Sequence, residues 1–410
     1  MLDAISALLE RQPMLALAVP LAAIGGVYGV RALLARRGPR KQVEGPRVQA
    51  IEVTPGTRIN RLPAYRARLQ WHLQRDEPDV VALLDDLLSV GLSLNASDIH
   101  LTPGGSSVSV TLRVHGMLYD FCSMPSALYS KVVSRVKVMA ALPIYVRNTP
   151  QDGQIGLHDG RARVRVSILP TNHGEKLVLR LASADYGTQR LDALGMDPRD
   201  LAKLKVLLNS NQGMLVVTGP TGSGKTTTMY ASLLHIQRSR GDSTNIVTLE
   251  DPVEFDFPNF SQTQIDAATG LTFAAGLRAV LRQDPDVILV GEIRDDETAQ
   301  IALRAAMTGH LLVSTLHTDR AASVFHRLAQ LSVDPFHIAT AVRGVVSQRL
   351  CQKLCQHCKR EAPLSAEQRA AFELTRMPVP EGPFYVANGC DECLGKGFEG
   401  RIAVYEGLVV

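Results

Sequence analysis

Apolar residues follow two different spacings between residues 79 and 190. Residues 80–90 have helical apolar spacing and end at Gly91, which predicts a helix with a glycine C-cap. Alternating apolar and polar residues predict half-buried strands at 108–114, 162–168 and 176–181. A helix over 127–141 separates the first strand from the others. The pattern therefore predicts a small α+β domain with a mixed sheet over residues 79–190.

From residue 191 the pattern changes to short, continuously apolar runs. These runs lie within residues 214–218, 246–254, 286–295 and 308–318. An amphipathic helical spacing over 227–236 follows the first of them. Apolar strands that alternate with helices are typical of a parallel sheet covered on both faces. We therefore expect an α/β domain over residues 191–350.

The first of these strands leads into a segment that fits the pattern G-x-x-x-x-G-K-[ST] completely. Its residues are Gly219, Pro220, Thr221, Gly222, Ser223, Gly224, Lys225 and Thr226, and Thr227 follows in the helix. Backbone N–H groups of such a loop can surround a phosphate, and glycine lets the main chain approach it without a Cβ clash. Lys225 would reach the β- and γ-phosphates and the Thr226 hydroxyl would hold Mg²⁺. A chance glycine turn is the alternative, but the strand and helix around the loop favour a site for ATP and Mg²⁺.

Acidic and imidazole side chains follow the other apolar runs. Glu250 and Glu292 come directly after buried strands, at the sheet edge where α/β folds bind their ligands. Glu292 is in the position of a Walker B carboxylate, although Gly291 replaces the aspartate that usually precedes it. His310 and His317 lie at the two ends of the last strand, where each is either a core histidine or part of the site.

Four segments in this order resemble the type II secretion and type IV pilus assembly ATPases. They are the phosphate loop, LEDPVEF at 249–255, LRQDPDVILVGEIRD at 281–295 and TGHLLVSTLHT at 308–318. ASDIHL at 96–101 and TNHGEKLVLRL at 171–181 also match this family, so the resemblance covers residues 79–404. It implies a general secretion pathway protein E-like motor of the secretion superfamily. Its fold class would be α/β: a RecA-like P-loop ATPase domain after a small PAS-like α+β domain, with an inserted zinc module that has four cysteine ligands.

The resemblance also implies roles for individual residues. Glu292 would orient or activate the attacking water, Glu250 would position Mg²⁺ or water, and His317 would sense the γ-phosphate. Other members also have a glycine at the position of Gly291, so it is compatible with activity. His310 would complete the nucleotide site.

Phosphoryl transfer also needs positive charge, which a neighbouring subunit of a homo-oligomeric, hexameric ring would supply. The candidate arginines are Arg278 and Arg282 before Walker B, and Arg163, Arg165 and Arg180 in the preceding domain. For each of them a surface or inter-domain ion pair is the alternative.

Five of the six cysteines lie within residues 351–393, which indicates a metal site rather than a scattered disulfide framework. Cys355 and Cys358 form one C-x-x-C pair, and Cys390 and Cys393 form another, so four thiolates could bind a structural Zn²⁺. The alternative is a pair of disulfides. Assembly-type members of the family have the same two knuckles and the G-x-G-x-x-G-R segment found at 395–401. We place the module at 351–400, with Cys351 as a spare thiol on a helical face shared with Cys355.

The first forty residues contain an uncharged stretch, Met14 to Val30, followed by a basic cluster from Arg31 to Lys41. This predicts an N-terminal membrane anchor over 1–40 that leaves the rest at the cytoplasmic face of the inner membrane. A cleaved signal peptide is a weaker alternative, because this segment lacks the basic first region that signal peptides have. A helix that docks on a partner protein is the other alternative. Residues 41–78 have the composition of a linker.

The net charge of the chain limits the kinds of partner that it is expected to bind. A formal charge of +4 over 410 residues is too small to indicate specific nucleic-acid binding. The resemblance implies an inner-membrane platform protein as partner, and residues 401–410 would be a truncated C-terminal end. The alternatives to a fibre-assembly motor are a DNA-uptake or conjugation motor and a non-hydrolysing nucleotide-binding scaffold.

Overall fold

The computed structural model describes residues 61–75, 77–157, 162–181 and 190–410, without the side chains of residues 157, 162 and 163. The expected membrane anchor at 1–40 lies outside these residues. No helix in the described ranges is long and apolar enough to cross a bilayer.

The first domain is a six-stranded sheet with three helices. Its elements are α1 (Leu62–Leu73), α2 (Val80–Ser93), β1 (Ala96–Pro103), β2 (Ser107–Val114), β3 (Met117–Pro125), α3 (Ser126–Met139), β4 (Gln151–Leu157), β5 (Ala162–Thr171) and β6 (Gly174–Leu181). The strand order is β3-β2-β1-β6-β5-β4, and every neighbouring pair is antiparallel. The expected mixed sheet is therefore wrong, because most sequential strands are joined by connections too short for a parallel crossover. The PAS-like description of this domain stays a prediction.

Two local expectations in this domain are also wrong. Helix α2 does not end at Gly91 but continues to Ser93. A Cβ on Gly91 would lie 2.6 Å from Leu181 Cδ1, so this glycine lets the helix pack closely on the sheet. Helix α1 lies inside the expected linker, with Leu62 and Leu69 buried against the sheet.

The second domain is a seven-stranded sheet between two layers of helices. Its elements are α4 (Pro198–Leu208), β7 (Gly213–Thr218), α5 (Lys225–Arg240), β8 (Ile246–Glu250), β9 (Ser261–Gln264), α6 (Phe273–Val280), β10 (Val287–Val290), α7 (Asp296–Met307), β11 (Leu311–Leu316), α8 (Ser323–Gln330), α9 (Pro335–Ala341), β12 (Val342–Leu354) and β15 (Phe398–Val409). The order is β15-β12-β7-β11-β10-β8-β9, with only the β12–β15 pair antiparallel.

Both faces of this sheet are buried. Along β7, Met214 and Val216 belong to one hydrophobic core, whereas Leu215 and Val217 belong to the core on the other face. This explains the continuous apolar runs in the sequence, because strands buried on both faces have no polar face.

Residues 355–397 form an insertion between β12 and β15. It contains β13 (Arg360–Glu361), α10 (Ala366–Thr375) and β14 (Tyr385–Val386), and β13 pairs with β14. Residues 401–409 continue β15 as the edge strand of the sheet, and their description as a truncated end stays a prediction.

A buried ion pair fixes one loop of the first domain. The Lys137 side chain is 1% exposed, and its Nζ donates hydrogen bonds to Val146 O at 2.6 Å and to Glu175 Oε1 at 2.5 Å. It therefore joins α3 to β6 and to the loop before β4.

We predict that Lys137→Met lowers the free energy of unfolding by about 3–5 kcal/mol, because it leaves the Glu175 carboxylate largely buried without its cation. Urea denaturation of the full chain measures this in the transition of the first domain. Lys131→Met, on an exposed position of the same helix, is the control and should change stability by less than about 0.5 kcal/mol. Equal unfolding midpoints for the two variants would show that the ion pair does not stabilise the domain.

Candidate nucleotide and metal sites

Several of the predicted site residues come together at the carboxyl ends of three neighbouring strands, β7, β11 and β10. In the parallel pairing, Thr218 of β7 lies opposite Leu316 of β11, and Val290 of β10 lies opposite Ser314. The phosphate loop, Glu292 and His317 follow these positions and therefore emerge at one edge. Thr218 Oγ1 also donates to Leu316 O at 2.8 Å and accepts from the Thr318 N–H at 2.9 Å, which joins the loop to the segment after His317.

The phosphate loop needs glycine for two physical reasons. Gly219 and Gly224 have φ angles of 141° and 88°, which side chains with a Cβ rarely adopt. A Cβ on Gly219 would also lie 2.3 Å from the Gln348 carbonyl oxygen. The loop is therefore pressed against β12, and its exposed side remains open to a ligand.

The loop residues fit a bound nucleotide. Lys225 Nζ donates to the carbonyl oxygens of Gly219 at 2.9 Å and Pro220 at 3.0 Å, so the ammonium is held over the loop. Burial lowers the pKa of Lys225, and the nearby Glu292 carboxylate partly opposes this. Ser223 Oγ is buried without a hydrogen-bond partner among the described residues. Thr226 and Thr227 lie in the first turn of α5, where helical N–H groups favour an anion.

Glu292 lies among basic side chains at the same edge. Its side chain is 14% exposed and pairs with the Arg294 guanidinium, which also lies 3.9 Å from Asp251 Oδ2. His317 Nε2 lies 3.7 Å from Glu292 Oε2. Burial and then the Lys225 charge lower the pKa of His317, so a neutral imidazole is favoured at neutral pH. Sequence reasoning missed Arg294, although it lies two residues after the motif glutamate.

The turn that carries Glu292 is held by the neighbouring strand. Thr315 Oγ1 donates to Gly291 O at 2.7 Å, and the Ile293 N–H donates to Thr315 O at 3.1 Å. A Cβ on Gly291 would lie 3.2 Å from Leu249 O. This tight contact gives a physical reason for glycine where an aspartate was expected.

Glu250 is held in a separate hydrogen-bond network. Its buried carboxylate accepts from the Tyr230 hydroxyl, from Thr248 Oγ1 at 2.6 Å and from Gln262 Nε2 at 3.0 Å. Burial and the Glu250 charge raise the pKa of Tyr230, which keeps its hydroxyl as a donor. The three donors fix the start of the segment that follows β8.

His310 is not brought to this edge. Its carbonyl oxygen accepts from the Gly213 N–H at the start of β7, and its ring contacts Ala305 O at 3.2 Å. His310 and His317 lie at opposite ends of β11, seven residues and so about 23 Å apart at roughly 3.3 Å per residue. The expected role of His310 at the nucleotide site stays a prediction.

The candidate arginines are exposed or paired within the chain. Arg278 pairs with Glu297, and Arg282 is exposed just after the end of α6. Arg180 Nε donates to Asp98 Oδ1 at 3.0 Å. Their assignment as charges supplied to a neighbouring subunit stays a prediction, and the Arg163 side chain lies outside the described residues.

Arg165 reaches from the first domain to the second. Its Nη1 lies 3.5 Å from Glu254 Oε1, in the segment after β8. Burial raises the pKa of Glu254, while the charges of Arg165 and Arg180 oppose this.

The four predicted zinc ligands converge in the insertion. Cys355, Cys358, Cys390 and Cys393 place their sulfur atoms within 4.8 Å of one another. Three of the Sγ–Sγ distances are 4.0, 3.8 and 3.7 Å. Tetrahedral Zn²⁺ with Zn–S bonds near 2.3 Å places its sulfurs about 3.8 Å apart, whereas a disulfide needs about 2.05 Å. The distances fit a shared metal and not disulfides.

Backbone groups around these sulfurs also favour thiolates. The N–H groups of Cys390 and Gly397 point at Cys393 Sγ, at 3.2 and 3.1 Å. Burial by itself would raise the pKa of Cys393, but these N–H groups help to lower it to about 7. Cys351 is exposed on β12, so the expectation that it shares a helical face with Cys355 is wrong.

The insertion also contacts the first domain. Leu394 packs against the first hydrophobic core, and the Lys396 ammonium lies 5.8 Å from the centre of the Tyr119 ring. The cysteine module therefore lies between the edge of the α/β sheet and the first domain.

Comparison with known proteins now identifies the chain. The family model described as Type II/IV secretion system protein matches residues 73–410. The chain belongs to this family. It is 44% identical over 338 residues to the type II secretion system protein HxcR of Pseudomonas aeruginosa, which covers 82% of this chain and 67% of HxcR. It is 43% identical over 338 residues to the type II secretion system ATPase E of Vibrio cholerae, which covers 82% of this chain and 66% of that ATPase.

Solved structures of an ATPase and of a pilus retraction motor share the fold. The DotB ATPase of Legionella pneumophila aligns with a TM-score of 0.55 at 21% identity, over 80% of each chain. The pilus retraction motor PilT, solved with ADP, aligns with a TM-score of 0.51 at 27% identity, over 71% of this chain and 88% of PilT. The family and α/β fold inferred from the sequence are confirmed, and the secretion ATPase class follows from both.

We predict that the full chain contains one Zn²⁺ and that Cys355→Ser or Cys390→Ser releases it, because three thiolates leave an open, exchangeable position. Elemental analysis of the purified protein gives the zinc content per chain. Cys351→Ser is the matched control and should keep the metal. Equal zinc content in all three variants would contradict a site formed by the two knuckles.

Proposed function

We propose that the chain hydrolyses ATP as one subunit of a ring-forming, hexameric motor. The motor powers assembly of a type IV pilus or of a type II secretion pseudopilus. The observation that supports this most is the grouping of Lys225, Glu292 and His317 at one sheet edge. The relatives that support it include ATPases named for type II secretion and for type IV pilus assembly.

The phosphate loop binds the triphosphate of ATP. Its N–H groups and Lys225 neutralise the β- and γ-phosphates, and the lysine exchanges the carbonyls of Gly219 and Pro220 for phosphate oxygens. Thr226 would hold Mg²⁺, which would supply further positive charge to the phosphates. The buried Ser223 hydroxyl, which has no hydrogen-bond partner in the part of the chain that the structure describes, is available to donate to a ligand in the loop.

Glu292 handles the proton of the attacking water. The water oxygen bonds to the γ-phosphorus as the bond to the β–γ bridging oxygen breaks, and the carboxylate accepts or orients the water proton. The Arg294 guanidinium orients this carboxylate, and neutral His317, directly after β11, lies 3.7 Å from it. Glu250 stabilises the adjacent turn through its three donors.

A neighbouring subunit completes the charge around the transferred phosphoryl group. The Arg278 side chain is half exposed and therefore accessible to an adjacent nucleotide. Arg282, and Arg165 and Arg180 of the first domain, are further candidates. A polytopic platform protein of the inner membrane is the partner expected to receive the motion, with the motor on the cytoplasmic side.

We predict that Glu292→Gln binds ADP and ATP like the parent but loses at least about 10²-fold in kcat, because the amide cannot accept the water proton. Phosphate release under saturating Mg·ATP measures turnover, and equilibrium binding of a fluorescent ADP measures affinity. Glu373→Gln, on exposed α10, is the control and should keep parental turnover. Parental turnover in Glu292→Gln would refute the assigned proton acceptor.

We further propose that residues 14–34 anchor the motor in the inner membrane. Deleting residues 1–40 should move the chain from the membrane to the soluble fraction while hydrolysis persists, since none of the proposed nucleotide-site residues belongs to this segment. Fractionation of cells that lack every pilus and secretion partner measures this. A full-length chain that is soluble in those cells would identify the segment as a partner-docking helix instead.

A further inference from the structure

Gln348 is a buried amide that touches the phosphate loop from a distant part of the sequence. It lies on β12, is 2% exposed, and follows the loop by more than one hundred residues. Both ends of its carboxamide are used. Nε2 donates to Ser223 O at 2.7 Å, and Oε1 accepts from Thr228 Oγ1 at 2.7 Å.

These two bonds fix the loop and the helix that follows it. Ser223 lies inside the phosphate motif, and Thr228 lies in the first turn of α5. With the Ser223 carbonyl held toward β12, the peptide N–H on the far side of that bond, from Gly224, points away from β12. Gly219 and Gly224 both lie against the same glutamine, with Gly219 approaching its backbone and Gly224 its side-chain nitrogen.

We infer that Gln348 is a positioning residue of the nucleotide site. Its carboxamide holds the phosphate loop in the conformation that binds the β-phosphate, without touching the nucleotide itself. This inference rests on the proposed function, in which the loop binds a nucleotide. It means that β12, the strand that leads into the cysteine module, determines the orientation of the loop.

The amide is suited to this role in a way that other side chains are not. The position faces one acceptor, Ser223 O, and one donor, the Thr228 hydroxyl, so the side chain must both donate and accept. A carboxylate of the same shape would oppose the Ser223 carbonyl, and an apolar chain would leave both buried groups unpaired. Glutamine satisfies both within the buried space.

The test is Gln348→Met, which keeps the length of the side chain and removes both hydrogen bonds. We expect ADP affinity and the KM for ATP to weaken about tenfold, which corresponds to about 1.4 kcal/mol. We expect kcat to stay within about twofold, because the lost interaction acts equally on the ground state and the transition state. Gln352→Met, on an exposed position of the same strand, is the control and should match the parent.

The split between KM and kcat separates positioning from a merely structural role. A folding defect would reduce the fraction of active chains, which lowers kcat and leaves KM and ADP affinity unchanged. That result would overturn the inference. Parental values of both parameters in Gln348→Met would overturn it as well.

A second variant covers the case in which Gln348→Met does not fold. Thr228→Val removes one of the two bonds and keeps the shape of the side chain, so ADP affinity should weaken in the same direction but less. Unchanged affinity in Thr228→Val would contradict the inference. ADP binding is measured without hydrolysis, so a parent that binds ADP but does not hydrolyse ATP would fail the proposed function and still test the role of Gln348.

Discussion

The nucleotide site depends above all on the parallel pairing of β7 with β11. This register places Thr218 opposite Leu316, so that the phosphate loop and His317 leave the sheet side by side. The Thr218 hydroxyl strengthens the same junction through bonds to the backbone of residues 316 and 318. A shift of two residues in this pairing would move His317 about 7 Å along the strand and away from the loop. Glu292 depends on the same junction, because β10, the strand before it, pairs with β11.

Apolar burial makes the sheet rigid, but buried polar groups fix the conformation of the segments that follow its strands. Both faces of β7 are covered, which fixes the strand without defining the loop beyond it. Gln348, Thr315 and Glu250 define those segments, because each satisfies named backbone or hydroxyl groups that the apolar core cannot. A buried polar group left without a partner is costly, so each such bond excludes alternative conformations. Specificity of shape therefore comes from a few hydrogen bonds on a hydrophobic support.

Local sequence predicted the parts of this chain that local geometry controls. The phosphate loop, the strands around it and the C-x-x-C pairs need fixed spacings, so the residues themselves indicate them. Contacts between residues that are far apart in the sequence could not be predicted in this way. Nothing near Gly91 indicates that Leu181 packs against it, and nothing near residues 401–409 indicates that they join a sheet edge beside β12. His310 and His317 look equivalent in the sequence, and only the direction of β11 separates them. Gln348 was missed because its partners Ser223 and Thr228 lie more than one hundred residues away in the sequence. Arg294 was missed although Glu292 is only two residues away, because the sequence does not show where its guanidinium points.

The contacts between the first domain and the α/β domain have a mechanical consequence. No helix or strand described in one domain packs broadly against one of the other, and the Arg165–Glu254 pair is nearly half exposed on the arginine side. An exposed ion pair of this kind typically contributes only about 0–1 kcal/mol, and salt weakens it further. Added salt should therefore weaken the Arg165–Glu254 attraction between the two domains. The cysteine module leaves the sheet edge and packs Leu394 against the first core, and this apolar contact between the two domains is one that salt does not screen.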